Sequence, residues 1–160
     1  MTKKNMSFDE VLQRMEAWCA VREVCVSEAT TKMKRWDVNE SDSGKIITLL
    51  QESKFIDEKR YVKAFVNDKL LLEKWGPLKV KSILKQKGIA AALIEQAIND
   101  KEPDVDQDNI VSELLNKKHK SLKTGLNSSE IYAKLMRFGL SRGFDYSLVS
   151  KHAENLSRKS

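Results

Sequence analysis

The sequence predicts an all-α protein, built as an elongated, curved array of three tandem three-helix repeats that are helix-turn-helix-like. Only six Gly and two Pro interrupt the 160 residues, of which 41% are apolar and 32% are charged, a composition typical of helical proteins. Apolar residues recur at i, i+3 and i+4, the spacing of a helix face that packs on a core. The first helix of each repeat begins near Phe8, Asp57 and Asp106, at intervals of 49 residues. A period of this length implies an array in which each unit packs on its neighbours.

Repeat 1 covers residues 1–56 and contains three predicted helices. A capping box at 7–10 opens the first helix, whose apolar periodicity fades near Glu23. Ser27 is predicted to cap the second helix, because a serine hydroxyl can accept a hydrogen bond from the first turn. Residues 39–44 indicate a loop or a weak helix start before the third helix.

Repeat 2 covers residues 57–102. Asp57 is predicted to cap a long helix that reaches Lys74. The predicted core stripe of that helix is Tyr61, Ala64, Phe65, Leu71 and Leu72, widened by Val62, Val66 and Leu70. Pro77 suits the first turn of the next helix, and Gly88 suits its C-terminal cap. A further helix is predicted over 90–99.

Repeat 3 covers residues 103–160 and begins within an acidic stretch, 100–108, that is predicted to be a linker. Five of the nine residues in that stretch are Asp or Glu, and one is proline. A second capping box at 127–130 opens the next helix, which Gly143 ends. Asp145 is predicted to cap the last helix of the chain.

The net charge of +6 is concentrated in the middle of the chain. Residues 54–88 hold ten Lys or Arg and four Asp or Glu, so their excess of positive charge equals the net charge of the whole chain. Localised positive charge is typical of a well-solvated surface, and also of a surface that binds a nucleic acid, an acidic protein groove or an anionic membrane. The basic second helices lack the Asn, Gln and Arg mixture that reads base edges, which favours phosphate contacts without sequence specificity. The candidate binding residues are Lys69, Lys74, Lys79, Lys81, Lys85 and Lys87 in repeat 2, with Lys34, Arg35, Arg137 and Arg142 in the flanking repeats.

Catalysis has little support in the sequence, which predicts a non-enzymatic protein without a metal or a cofactor. His119 and His152 have no cysteine or second histidine at metal-ligand spacing. His152 lies beside an apolar stripe and is expected to be packed. The segment 43–45 (Ser-Gly-Lys) lacks the first glycine and the preceding strand of a P-loop.

The predicted location is the cytoplasm. The longest apolar run is only a few residues, so no membrane span is expected. The first six residues contain no apolar stretch that could form a signal peptide. Cys19 and Cys25 match no common metal motif and are expected to be reduced thiols.

An ordered set of motifs runs through repeat 2. They are FIDEKRYVKAFVNDK at 55–69, Trp-Gly-Pro at 75–77 and LKQKGI at 84–89. Repeat 3 adds LMRF at 135–138 and SRGF at 141–144. This pattern resembles the RecX family of RecA regulators. The chain departs from it at the residue after Pro77, where relatives often carry a basic side chain and this chain has leucine.

The resemblance implies an array of three repeats and nine helices without a catalytic site. The implied partner is RecA. RecX proteins lie along the groove of the RecA–DNA filament and restrain its ATPase, recombinase and co-protease activities, with single-stranded DNA inside the filament as a possible second contact. A monomer would dock through the basic face of repeat 2, with Arg60 as the structural partner of a nearby acid. The alternative is a sequence-nonspecific single-stranded nucleic-acid-binding helical module, for which RecA is secondary.

Overall fold

The computed structural model describes residues 5–159, which are helical and contain no strand. Repeat 1 contains α1 (Phe8–Ala20), α2 (Val26–Arg35) and α3 (Glu40–Glu52). Repeat 2 contains α4 (Glu58–Asn67), which continues into a π-helical turn (Asp68–Leu72), then α5 (Pro77–Gln86) and α6 (Ala91–Lys101). A 3-10 turn (Glu102–Asp104) leads into repeat 3, which contains α7 (Gln107–Ser121), α8 (Ser128–Ser141) and α9 (Tyr146–Arg158). The predicted arrangement of three helices in each of three repeats is confirmed.

Side-chain caps determine where most of the helices start. The capping oxygens, each accepting from a backbone N–H two or three residues later, belong to Ser7, Asn39, Asp57, Asp106, Asn127 and Asp145. A cap satisfies one of the four N–H groups that a helix start leaves without a partner, and is worth about 1 kcal/mol. The predicted caps at Ser7, Asp57, Asn127 and Asp145 are confirmed.

The break between α1 and α2 differs from the prediction. α1 ends at Ala20, before Glu23. Cys25 stands at the N-cap of α2, and its backbone N–H donates to Glu28 Oε1 at 3.2 Å. The predicted cap at Ser27 is wrong, because the buried Cys25 side chain packs into the core of repeat 2 and thereby places the helix start two residues earlier.

The stretch 39–44, predicted as a loop or a weak helix start, is a helix start, and the stretch predicted as a linker is largely helical. Residues 39–44 begin α3, where Asn39 Oδ1 accepts from the backbone N–H of Asp42 at 2.9 Å. The acidic stretch 100–108 is not a linker, since α6, the 3-10 turn and α7 all extend into it. Val105 packs against the core of repeat 2, so this connection is anchored to the repeat that precedes it.

The core stripe predicted for α4 is wrong in part. Tyr61 is buried, but Ala64 is exposed and Leu72 is 72% exposed. The buried side chains beside Tyr61, which recur every four residues, are Val62, Val66 and Leu70. The π-helical turn holds more residues per turn than an α-helix, so Leu72 at its end falls out of register with the core face that Leu70 still occupies.

Each repeat has a hydrophobic core of its own. Fully buried members are Met15 and Ile46 in repeat 1, Val66 and Leu84 in repeat 2, and Leu115 and Leu135 in repeat 3. The accessible surface is 10255 Å², whereas a compact monomer of this mass exposes about 8,100 Å². The larger surface agrees with three small cores in a row rather than one shared core.

Candidate partner-binding surface

The second helices α2, α5 and α8 connect the repeats, because the N-terminal turns of α2 and α5 lie against the turns that follow α5 and α8. At the junction between repeats 1 and 2 (junction 1/2), Glu28 Oε2 accepts a hydrogen bond from Lys87 Nζ at 3.1 Å. Arg60 Nε donates to a Glu23 carboxylate oxygen at 2.7 Å, which confirms its predicted structural role. Two side-chain ion pairs therefore join these repeats.

At the junction between repeats 2 and 3 (junction 2/3), the backbone makes the contact. The N–H of Gly76 donates to the carbonyl oxygen of Arg142 at 2.7 Å, and the N–H of Leu78 donates to that of Gly143 at 3.0 Å. Both donors belong to the N-terminus of α5, where free N–H groups would attract an anion. The turn after α8 occupies them, so this helix end is a structural contact.

Three of the six candidate lysines in repeat 2 pair with carboxylates of the chain itself. Lys69 Nζ lies 2.9 Å from Glu73 Oε1, and this hydrogen bond raises the pKa of Lys69. Lys81 Nζ lies 3.3 Å from Glu95 Oε1. Lys87 forms the ion pair at junction 1/2 described above. Ion pairs within the chain thus neutralise part of the predicted basic face.

The other three, Lys74, Lys79 and Lys85, form no ion pair within residues 5–159. Lys74 and Lys85 are exposed. Lys79 Nζ lies 3.9 Å from the centroid of the Trp75 ring, and Lys69 Nζ lies 4.6 Å from it. These distances are those of cation–π contacts, so Trp75 orients both lysines. Repeat 2 therefore offers three unpaired cations to a partner.

The candidates of the flanking repeats are all exposed, and none of them forms an ion pair in the described chain. They are Lys34, Arg35, Arg137 and Arg142. The structure brings Arg35 together with Lys87 in a cleft of about 390 Å³ at junction 1/2. It brings Arg142 together with Lys74 in a cleft of about 240 Å³ at junction 2/3. Two pairs of candidates thus meet at the junctions, whereas Lys34 and Lys85 line neither of these clefts.

One cationic group is predicted only in part from the sequence, since Arg137 is among the candidates and Lys118 is not. Lys118 near the end of α7 and Lys134 on α8 join Arg137 in a third cleft, of about 370 Å³. We call it the α7–α8 cleft, and its lining residues are Lys118, Leu122, Lys134, Arg137, Phe138 and Ser141. The basic run at 117–120 is its strongest sign in the sequence, but a solvated helix end has the same composition.

The described residues contain no cluster of three His, Cys, Asp or Glu side chains that could hold a metal ion. His152 is packed as predicted, and its Nε2 lies 2.9 Å from Asp108 Oδ1. Cys19 and Cys25 are buried free thiols. Among the helices of residues 5–159, none has the length and apolar character needed to cross a bilayer.

Comparison with known proteins assigns the family. Models of the second and the third three-helix domains of RecX match residues 57–98 and 106–151. The regulatory protein RecX of Clostridium botulinum (strain Eklund 17B / Type B) is 33% identical over 149 residues, which cover 88% of this chain and 67% of that protein. The chain belongs to the RecX family. A family of regulatory proteins agrees with the absence of catalytic motifs from the sequence.

Other RecX relatives match over part of their length. The protein of Clostridium tetani is 36% identical over 101 residues, 62% of this chain and 45% of the relative. That of Streptococcus agalactiae serotype V is 30% identical over 132 residues, 81% of this chain and 48% of the relative. This RecX-family chain therefore spans about half the length of these curated relatives.

Two solved RecX structures share the fold. One crystal structure of regulatory protein RecX matches with a TM-score of 0.79 at 22% identity, over 90% of this chain and 71% of that chain. RecX from Lactobacillus salivarius matches with a TM-score of 0.70 at 19% identity, over 94% and 97% of the respective chains. These similarities establish the helical fold of this RecX-family chain.

Proposed function

We propose that this RecX-family chain is a non-enzymatic regulator of RecA that lies along the groove of the RecA–DNA filament. Membership of the RecX family carries the proposal. A long array with unpaired cations near its junctions suits a polyanionic filament, because an extended positive surface attracts many phosphates or carboxylates at once. The chain would act as a monomer in the cytoplasm.

A regulator without a catalytic site must act through differential binding. A protein that binds one state of a filament more tightly than another shifts the population toward the state that it prefers. An array laid across neighbouring units of the filament would hold their spacing. The ATPase, recombinase and co-protease activities of RecA would fall to the extent that each requires the disfavoured state.

The docking residues that we assign in repeat 2 are Lys74, Lys79 and Lys85. They are the candidates that form no ion pair in the described part of the chain, so contact with an anionic groove requires no internal pair to break. Lys69 and Lys87 instead serve the structure, the first beside Trp75 and the second at junction 1/2.

RecA ATP hydrolysis on single-stranded DNA, titrated with the Lys74→Glu/Lys85→Glu variant, tests this assignment. Both lysines are exposed, so the fold should persist. We expect the concentration for half-maximal inhibition to rise roughly tenfold, because charge reversal weakens steering toward a polyanion. The matched control is Lys59→Glu/Lys63→Glu, which reverses two exposed lysines of α4 and leaves inhibition near that of the wild type.

Wild-type inhibition by the Lys74→Glu/Lys85→Glu variant would show that the docking residues are assigned wrongly. A wild-type chain that leaves ATP hydrolysis unchanged at every concentration would show that the proposed function is wrong. Circular dichroism of each variant confirms that its helices are intact.

A further inference from the structure

The clefts of repeats 1 and 3 are built from equivalent positions. α2 and α8 each end in a turn with a residue at positive φ, Asp37 and Gly143, which lie 106 positions apart. The same offset pairs four residues that line the junction 1/2 cleft, Glu28, Thr31, Lys32 and Arg35, with four that line the α7–α8 cleft, Lys134, Arg137, Phe138 and Ser141. Each cleft is thus the groove between the end of a first helix and the side of a second helix.

A lysine covers an aromatic ring in both clefts. Lys32 Nζ on α2 lies 4.7 Å from the centroid of the Trp18 ring on α1. In repeat 3 the helices exchange roles, and Lys118 Nζ on α7 lies 5.1 Å from the centroid of the Phe138 ring on α8. A ring and a cation thus recur in this groove in repeats 1 and 3.

The two grooves differ in charge. The groove of repeat 1 contains Glu28, whose carboxylate pairs with Lys87 of the following repeat. In the α7–α8 cleft, Lys134 takes the place of Glu28, and no carboxylate lines the cleft. Glu130 lies one turn before Lys134, but its Oε1 accepts from Asn127 Nδ2 at 3.1 Å instead. The positive charge of the α7–α8 cleft is therefore uncompensated by its lining.

The three cations of the α7–α8 cleft, Lys118, Lys134 and Arg137, form no ion pair anywhere in the described chain. Lys134 and Arg137 are exposed, and Lys118 is half-buried. Like charges gathered on one concave surface repel each other, so the arrangement opposes folding slightly in the absence of an anion. An anion that enters the cleft would relieve that repulsion.

We propose that the α7–α8 cleft binds the phosphodiester backbone of a single-stranded nucleic acid. Ammonium and guanidinium groups are the side chains that contact phosphate, and a positively charged groove is the feature that follows the backbone of a single strand. Lys118 and Arg142 both lie within cation–π distance of the Phe138 ring, the second at 4.9 Å, so the cleft reads charge and not the identity of a base. The proposal rests on the proposed function, in which the chain meets DNA in a filament.

Binding of a fluorescein-labelled oligodeoxythymidylate to the full chain, in the absence of RecA, tests the proposal by fluorescence anisotropy over a series of salt concentrations. The variant is Lys134→Ala/Arg137→Ala, in which both substituted side chains are exposed. We expect its affinity to fall on the order of tenfold at low salt. The log–log salt slope should become less steep by about 1.4, because each lost phosphate contact removes about 0.7 on a single strand.

The matched control is Lys59→Ala/Lys63→Ala, which removes the same charge from α4 and should keep wild-type affinity and slope. Equal weakening by the two variants would overturn the proposal, because the effect would then be one of net charge. So would a wild-type chain that fails to bind the oligonucleotide at the lowest salt. A Lys134→Ala/Arg137→Ala variant that binds DNA normally but no longer inhibits RecA would assign the cleft to an acidic protein surface, and would also overturn the proposal.

RecA is absent from the binding assay, so its result is independent of the proposed function. A wild-type chain that inhibits RecA ATP hydrolysis but binds no free DNA would support the proposed function and contradict the proposal that the α7–α8 cleft binds DNA. A wild-type chain that binds free DNA but does not inhibit RecA would support the α7–α8 cleft and contradict the proposed function.

Discussion

Among single residues, two glycines at equivalent positions, Gly88 and Gly143, have different structural roles. Gly88 and Gly143 follow α5 and α8 with φ of +78° and +91°, values that favour glycine. A Cβ built on Gly143 would lie 2.3 Å from the Cβ of Lys79, whereas one built on Gly88 would meet no atom within 4 Å. Gly88 serves backbone conformation, and Gly143 serves both conformation and the close approach of repeats 2 and 3.

Substitution by alanine separates these two effects. Gly88→Ala should lower the free energy of unfolding by about 1–2 kcal/mol, the cost of placing an L-residue in the left-handed region. Gly143→Ala should lower it by that amount and a further 1–3 kcal/mol or so, because the added methyl group meets Lys79. Urea unfolding of both variants measures the difference, and equal losses would contradict the role of Gly143 in junction 2/3.

The burial of the Tyr61 side chain predicts that the chain loses stability at high pH. Burial raises the pKa of Tyr61 above its ordinary value of 10.0, and the nearby carboxylate of Glu28 raises it further. The folded chain therefore favours the neutral phenol, whose contribution to stability is complete below the unfolded pKa and is lost as the pH rises from there toward the folded pKa. Tyr61→Phe cannot ionise, so its stability should fall less than that of the wild type above about pH 10.

Urea unfolding near neutral pH and at about pH 11 measures this difference, which we expect to reach about 1 kcal/mol. The loss of the hydroxyl itself is corrected by the comparison at neutral pH. The same alkaline loss in Tyr61→Phe and in the wild type would assign the transition to other groups.

At the scale of helices, junctions 1/2 and 2/3 use the same elements with different chemistry. Ion pairs hold junction 1/2, between side chains such as Glu28 and Lys87 that are 33% and 27% exposed. Backbone hydrogen bonds hold junction 2/3, between the N-terminus of α5 and the turn after α8. Salt screens the first kind of contact more than the second, so the two junctions should differ in their response to ionic strength.

Neutralising the acids of junction 1/2 should remove most of its response to salt. The Glu23→Gln/Glu28→Gln variant should lose about 1 kcal/mol of unfolding free energy at low salt and less at high salt, because partly exposed pairs are weak and screened. The control is Glu154→Gln, which removes an exposed pair with Arg158 whose N–O distance is 4.0 Å and should cost almost nothing. Urea unfolding at two ionic strengths measures both, and an unchanged salt dependence in the double variant would contradict the assignment.

At the scale of the whole molecule, three cores in a row predict an extended particle. A compact chain of 160 residues has a radius of gyration of about 15 Å. We expect small-angle X-ray scattering from a monodisperse sample to give a clearly larger value, because the accessible surface exceeds that of a compact chain. A radius close to 15 Å, at the mass of a monomer, would contradict the extended array.

The helical repeat and most of the helix starts follow from local sequence. Capping residues such as Ser7 and Asp57 act on a backbone N–H three residues away, so local sequence suffices to place them. Apolar spacing within one helix is equally local, and it failed at Leu72, where a π-helical turn changes the register. The motifs between 55 and 89 were enough to indicate the RecX family.

The packing of the helices establishes which cations are available to a partner. Lys81 forms an ion pair with Glu95 on a different helix and is less available to a partner, whereas Lys85, one turn away on α5, is exposed. The α7–α8 cleft joins Lys118 to Lys134 and Arg137 from two helices. These contacts depend on how helices pack, and the periodicity of a single helix shows which face is apolar but not what lies opposite its polar face.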